Sequence, residues 1–176
     1  MGFGFTLFCI FILFPLLALL FILWLISPKK IFIKTIGWIF IAVFSLIVVS
    51  GITRTLTAKK VLSKDDYYGT YVIDRDIIPG KQADWQYDHF RFEIKDNDSI
   101  YFYVTDKDRI LQTYKGKIVT VKPYESERLA VHMPLRSHHV LRTNPTVYRS
   151  AWGFTLVFNS PKFGNMFFTK GDYTVN

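Results

Sequence analysis

The apolar positions of this chain are crowded into its first third. From Gly2 to Ile26 no residue is charged, and from Ile31 to Ile52 only Lys34 is. A run of about twenty apolar residues spans a hydrocarbon core roughly 30 Å thick. The two runs are separated by Ser27-Pro28-Lys29-Lys30, which stops a helix and holds a turn among headgroups. The pattern therefore predicts a transmembrane helical hairpin over residues 1–53. Trp24 and Trp38 are placed near the interfaces. Pro15 lies mid-span, where a kink is tolerated if neighbouring groups satisfy the freed carbonyl. The first run lacks a basic leader and a small-residue cleavage site, which argues for a retained helix and against a signal peptide.

After Arg54 the period changes. Residues 54–66 form a charged linker, in which Ser63 and Asp66 have the spacing of a helix cap. From residue 67 apolar residues alternate with polar ones, as in Phe90, Phe92 and Ile94 or Ile100, Phe102 and Val104. The runs 70–73, 89–95, 100–105, 109–115, 118–121, 129–133, 152–158 and 166–169 predict eight short strands joined mostly by hairpin-length turns. An open sheet of that size leaves two exposed edges, and closure removes them. The expected fold is an α+β membrane protein, the hairpin followed by a small, mostly antiparallel eight-stranded β-barrel over 67–176, with a β-sandwich as the alternative. Eight strands enclose room for side chains or for one small ligand.

Composition separates the same two halves. All 10 tyrosines follow Asp66, whereas nine of the 17 phenylalanines precede Thr53. Tyrosine suits a wall with one wet end, which a lipid-buried hairpin does not have. The net charge is +8, of which residues 115–176 carry +6 and residues 54–114 carry −1. Such a basic half suits anionic headgroups or an anionic ligand. The single cysteine, Cys9, lies in the first apolar run, so no disulfide framework braces the domain. Lysines on the hairpin turn nearly balance those after the second helix, which leaves the side of the membrane occupied by the barrel open.

Signatures of catalysis are absent: no glycine-rich phosphate loop, no Gly-x-Ser-x-Gly elbow, no His-Glu-x-x-His. The chain is expected not to be an enzyme, to carry no cofactor and to bind neither DNA nor RNA. His138 and His139 are adjacent, and neighbours in an extended chain face opposite ways, so a shared metal is not expected. The functional candidates lie in the long connection from Pro134 to Ser150: Arg136, His138, His139, Arg142, Tyr148 and Arg149. Guanidinium forks bind phosphate oxygens, and a phenol ring offers a stacking face. The competing reading is a basic loop resting on anionic lipid. A second loop, Pro79 to Trp85, places Trp85 at the barrel mouth as a further candidate or as a plug.

Tyr68-Gly69-Thr70-Tyr71-Val72-Ile73 after a short helical turn resembles the opening strand of lipocalin-like barrels. The whole layout, two N-terminal membrane helices and a small barrel, resembles the two-transmembrane β-barrel effectors of bacterial CBASS antiphage operons. No motif residue carries over from that resemblance. It implies a two-pass protein of the bacterial inner membrane that binds a cyclic oligonucleotide, assembles through its helices as a homo-oligomer and disrupts the bilayer. The alternative is a non-enzymatic module tethered to the envelope, with a filled barrel.

Overall fold

The computed structural model describes residues 3–122, 124–134 and 138–175. The chain divides after Thr57 into two compact units. The first contains helices α1, Phe3–Ile26, and α2, Lys30–Leu56. Both are long and apolar enough to cross a membrane, and their apolar windows are almost wholly unburied by protein. A core helix of a soluble domain would bury such a face. Pro15 brings no break. A π-turn at Cys9–Leu13 precedes it and absorbs the missing donor, and the proline falls in the first turn of the regular helix that follows. Helix α2 runs on to Leu56, so the charged segment after Ile52 begins as helix.

The second unit starts with the expected cap. The Ser63 N–H donates to Asp66 Oδ2 at 2.9 Å, and a single 3-10 turn, Lys64–Tyr67, leads into β1, Gly69–Ile73. Seven strands follow: β2 Phe90–Ile94, β3 Ser99–Asp106, β4 Arg109–Val121, β5 Arg128–His132, β6 Thr146–Arg149, β7 Phe154–Ser160 and β8 Gly164–Lys170. They form one antiparallel sheet in the order β5-β4-β3-β2-β1-β8-β7-β6, a nearly closed barrel. A single continuous sheet rules out the sandwich.

The strand count matches the sequence expectation through two compensating differences. Gly116 does not end a strand: β4 runs through it from Arg109 to Val121. A Cβ at this position would overlap the His132 carbonyl and the Met133 sulfur, so the glycine permits close approach where β5 leaves the sheet. In exchange, β6 lies inside the connection 134–150, which had been expected to be loop. A third difference is α3, Lys81–His89, where a loop had been expected up to Trp85 and a strand from His89. Its nine residues bury Ala83, Gln86 and Tyr87, a spacing too short for a helical period to stand out in the sequence.

The barrel is filled. Tyr71, Phe92, Phe102, Phe158 and Phe168 are fully buried along its axis. Tyr71 stacks on Phe92 with centroids 4.6 Å apart, and Phe92 meets Phe158 at 5.7 Å and Phe168 at 5.1 Å. Each such ring contributes about 1.5–3 kcal/mol by leaving water. Among the described residues these rings occupy the interior, and the cavity described below lies in the wall.

Candidate functional site

Among the described residues the sheet has one gap. Strand β5 pairs there with β4 alone, and β6 with β7 alone, so their outer edges face each other unpaired. Backbone N–H and C=O groups along such an edge need partners. One edge donor is met by a side chain: the Val131 N–H donates to Asn144 Oδ1 at 2.8 Å. Because edge-facing groups alternate along an antiparallel strand, Leu129 turns its own backbone groups the same way. A cleft of about 750 Å³ follows the gap, with Tyr67, Tyr124, Arg128, Leu129, Val147 and Arg149 among its walls.

The segment arriving from α2 bridges one end of this cleft. The Lys60 N–H donates to the Ser150 carbonyl at 2.9 Å, and Arg149 Nη1 donates to the Lys60 carbonyl at 3.2 Å. Two residues on, the Leu62 N–H donates to Ser126 Oγ at 3.0 Å, and its carbonyl accepts from the Glu127 N–H at 3.0 Å. Lys60 is thus tied to the β6 side and Leu62 to the β5 side. The Leu62 side chain is buried in the core. Below it the Tyr67 hydroxyl donates to the Glu127 carbonyl at 2.7 Å, and burial pushes this phenol up to about 12.

Charges in the cleft are balanced. The Arg128 guanidinium lies 3.5 Å over the Tyr124 ring, which holds a flat cationic surface beside the opening. Arg149 has its guanidinium on the Lys60 carbonyl, with no carboxylate in ion-pair range among the described residues. Against these two cations stand Glu125 and Glu127. The Thr120 hydroxyl and then Lys122, at 3.3 Å, hold the Glu127 carboxyl below its usual range. The surplus of +6 in the second half is therefore not concentrated here.

The residues singled out from sequence do not form one site. Arg149 reaches the cleft, whereas Tyr148, next to it on β6, points outward and is exposed. Arg142 is exposed. Arg136 lies outside the described residues. His138, His139 and Trp85 gather at the opposite end of the barrel. His138 packs 5.0 Å from Phe102 and 5.3 Å from Phe90, and its Nδ1 accepts from the Val140 N–H at 3.4 Å. Burial, with His139 and Lys162 nearby, pushes its imidazole down to about 4. Contrary to strand alternation, the two histidine rings lie on one side, with centroids 4.1 Å apart, because the chain turns there into the 3-10 helix His139–Arg142. His139 Nδ1 meets Ser160 Oγ at 2.9 Å. Trp85 sits on α3, stacked on His89 at 4.1 Å and 5.6 Å from Phe163, so it joins the plug of this end. Among the described residues no three His, Cys, Asp or Glu side chains gather as a metal site.

Sequence reasoning missed Lys60, Leu62, Tyr124 and Arg128. Only the Tyr124-to-Arg128 spacing in a Glu-rich turn hinted at the last pair. The role of the linker depends on where β5 and β6 end, which no local pattern states. Comparison with protein-family models, curated proteins and solved structures finds no match to this chain.

Proposed function

We propose that this chain is a two-pass protein of the bacterial inner membrane whose barrel senses a small anionic ligand in the β5–β6 cleft and passes the signal to the helical hairpin. One observation carries the reading: the linker from α2 is hydrogen-bonded to both walls of the cleft, through Lys60 on one side and Leu62 on the other. A ligand that changes the gap between the walls changes the anchorage of the segment that continues α2. The ligand class follows from the wall. The Tyr124–Arg128 pair offers a face for a flat ring, and Arg149 offers a donor fork for a phosphate. A cyclic oligonucleotide carries both groups, as in the CBASS effectors that the layout resembles. Ligand binding would drive hairpins of several copies to assemble and disrupt the bilayer in antiphage defence.

The test is calorimetry of the full chain in lipid nanodiscs against a panel of cyclic di- and trinucleotides. Binding by at least one is expected, weakened tenfold or more by Arg149→Ala. A folded protein that gives no heat with any of them overturns the proposal. A reporter fused after Asn176 adds an independent check, because a barrel outside the cytoplasm would never meet such a ligand.

The filled interior favours a second reading, a tethered envelope module whose barrel binds proteins and no small molecule. Expression separates the two. Growth arrest that requires the hairpin supports the effector, whereas harmless accumulation with stable protein partners supports the module.

A further inference from the structure

Arg149-Ser150-Ala151-Trp152-Gly153 turns the chain from β6 into β7. Ser150 braces the turn twice. Its N–H donates to the Gly153 carbonyl at 2.8 Å, and its Oγ accepts from the Trp152 N–H at 3.3 Å and the Gly153 N–H at 3.0 Å. The backbone of Trp152 is thereby fixed, yet its ring is left uncovered. It is 86% exposed, more than any other large hydrophobic side chain among the described residues. A scattered surface leucine needs no explanation. A tryptophan held out on a braced turn is different, because indole joins a large apolar face to one N–H that requires a polar partner.

An independent observation says what the turn is tethered to. The Ser150 carbonyl accepts the Lys60 N–H at 2.9 Å, and Lys60 is the fourth residue after Leu56, the last of α2. Four residues of extended chain reach at most about 14 Å. Helix α2 has 27 residues, which give a length of about 40 Å, more than a hydrocarbon core of roughly 30 Å. A helix of that length that crosses a bilayer carries its ends into the headgroup layers, and the tie at Lys60 keeps the turn within reach of one of them. The charges agree. From Arg54 to Lys60 the chain carries Arg54, Lys59 and Lys60 and no acid, and Arg149 opens the turn with another cation. Basic residues beside a membrane helix draw anionic lipid. Val61, next to Lys60, and Tyr148, on β6 just before the turn, are also exposed, at 52% and 61%.

We propose that the β6–β7 turn docks the barrel on the lipid surface, with the Trp152 ring in the headgroup layer. Its apolar face would rest on the upper acyl chains and its indole N–H would donate to headgroup oxygens, the setting in which tryptophan is enriched. Lys59 and Arg149 would meet anionic headgroups on either side of the tie. The inference rests on reading α1 and α2 as membrane-spanning, and it is independent of the ligand proposed for the β5–β6 cleft.

The test places the full chain in vesicles of equal parts phosphatidylcholine and phosphatidylglycerol, with acyl chains either plain or brominated close to the headgroup. Bromine quenches only tryptophans that touch lipid. The emission lost in Trp152→Ser isolates Trp152, and the emission that remains comes from Trp24, Trp38 and Trp85. The Trp152 emission is expected to fall at least twofold on bromination and to resist acrylamide added to the water. Trp152→Phe supplies the same difference if serine disturbs the turn. The remaining emission reports on the helices, because Trp24 lies on α1 and Trp38 on α2. If bromine quenches that emission and leaves Trp152 untouched, the helices meet lipid and the docking proposal is overturned. A Trp152 shielded from both bromine and acrylamide is covered by protein, such as a second copy of the chain, and also overturns it. If bromine quenches neither, the spanning reading fails and takes the proposal with it.

Discussion

The two ends of the barrel are closed by different means. At the end opposite the linker, rings do the closing: Trp85 on His89, Phe163 against Phe90, His138 against Phe102 and Tyr114. At the linker end, a short stretch of backbone does it, tied by four hydrogen bonds through Lys60 and Leu62. Ring packing is distributed over many individually weak contacts. Main-chain bonds at the rim of an open cleft can be exchanged for bonds to a ligand or to water. The difference separates a packed end from a hydrogen-bonded one. On the proposed function, a signal would enter at the bridged end, while the plugged end holds the fold.

The largest expected effect comes from breaking the plug. Phe102 is fully buried and touches Phe90, Tyr114 and His138. Phe102→Ala should cost about 3–5 kcal/mol, since it removes the ring and leaves a cavity that its neighbours cannot fill. Urea unfolding of the barrel, followed by near-ultraviolet circular dichroism, measures it. A loss below about 1 kcal/mol would mean that this end is not packed as described.

Loosening the bridge should cost less and act locally. Ser126 is 8% exposed and its hydroxyl accepts the Leu62 N–H. Ser126→Ala leaves that buried donor without its acceptor, a penalty of about 1–3 kcal/mol. Amide exchange followed by mass spectrometry should show faster labelling at residues 59–63 and no change at 139–142. Equal acceleration at both places would erase the distinction between the ends.

How far this contrast could be read from sequence depends on the range of the interactions. The two long apolar helices were legible because a helix of that length and composition is defined by its own residues, as Phe3–Ile26 shows. The strands of β2 and β3 were legible because Phe90, Phe92, Ile100 and Phe102 alternate toward one face. Helix α3 was not, because it spends only three residues on the core, one of them Gln86. Nor was β6, whose Thr146 and Tyr148 face solvent and whose partner lies across a turn at Ser150–Gly153. Of the candidate residues, Arg149 lines the cleft and Tyr148 beside it faces solvent, as the period of two requires of neighbours on a strand. The cleft itself is a property of two strand ends that fail to meet, and only long-range pairing determines that.

The smallest effect separates the ends by pH. In an unfolded chain His138 titrates near its ordinary value of 6.5, but burial holds it down to about 4 in the fold, with His139 and Lys162 adding to the shift. Its Nδ1 accepts the Val140 N–H, a bond that only the neutral ring can take. The folded state therefore binds fewer protons than the unfolded state between these two values, and stability rises with pH across that window. The contribution is complete above pH 6.5, is lost progressively as pH falls toward 4, and changes no further below it. Because the ring is only half-buried, solvent screening reduces the effect to about 1–2 kcal/mol. His139, whose imidazole is also pushed down by burial and by Lys162, adds in the same direction. Thermal melts between pH 4.5 and 7.5 should show this loss, and His138→Phe, which keeps a ring against Phe102, should flatten it. If the parent and the variant lose stability in parallel, the acid sensitivity belongs to other groups and His138 is only part of the plug.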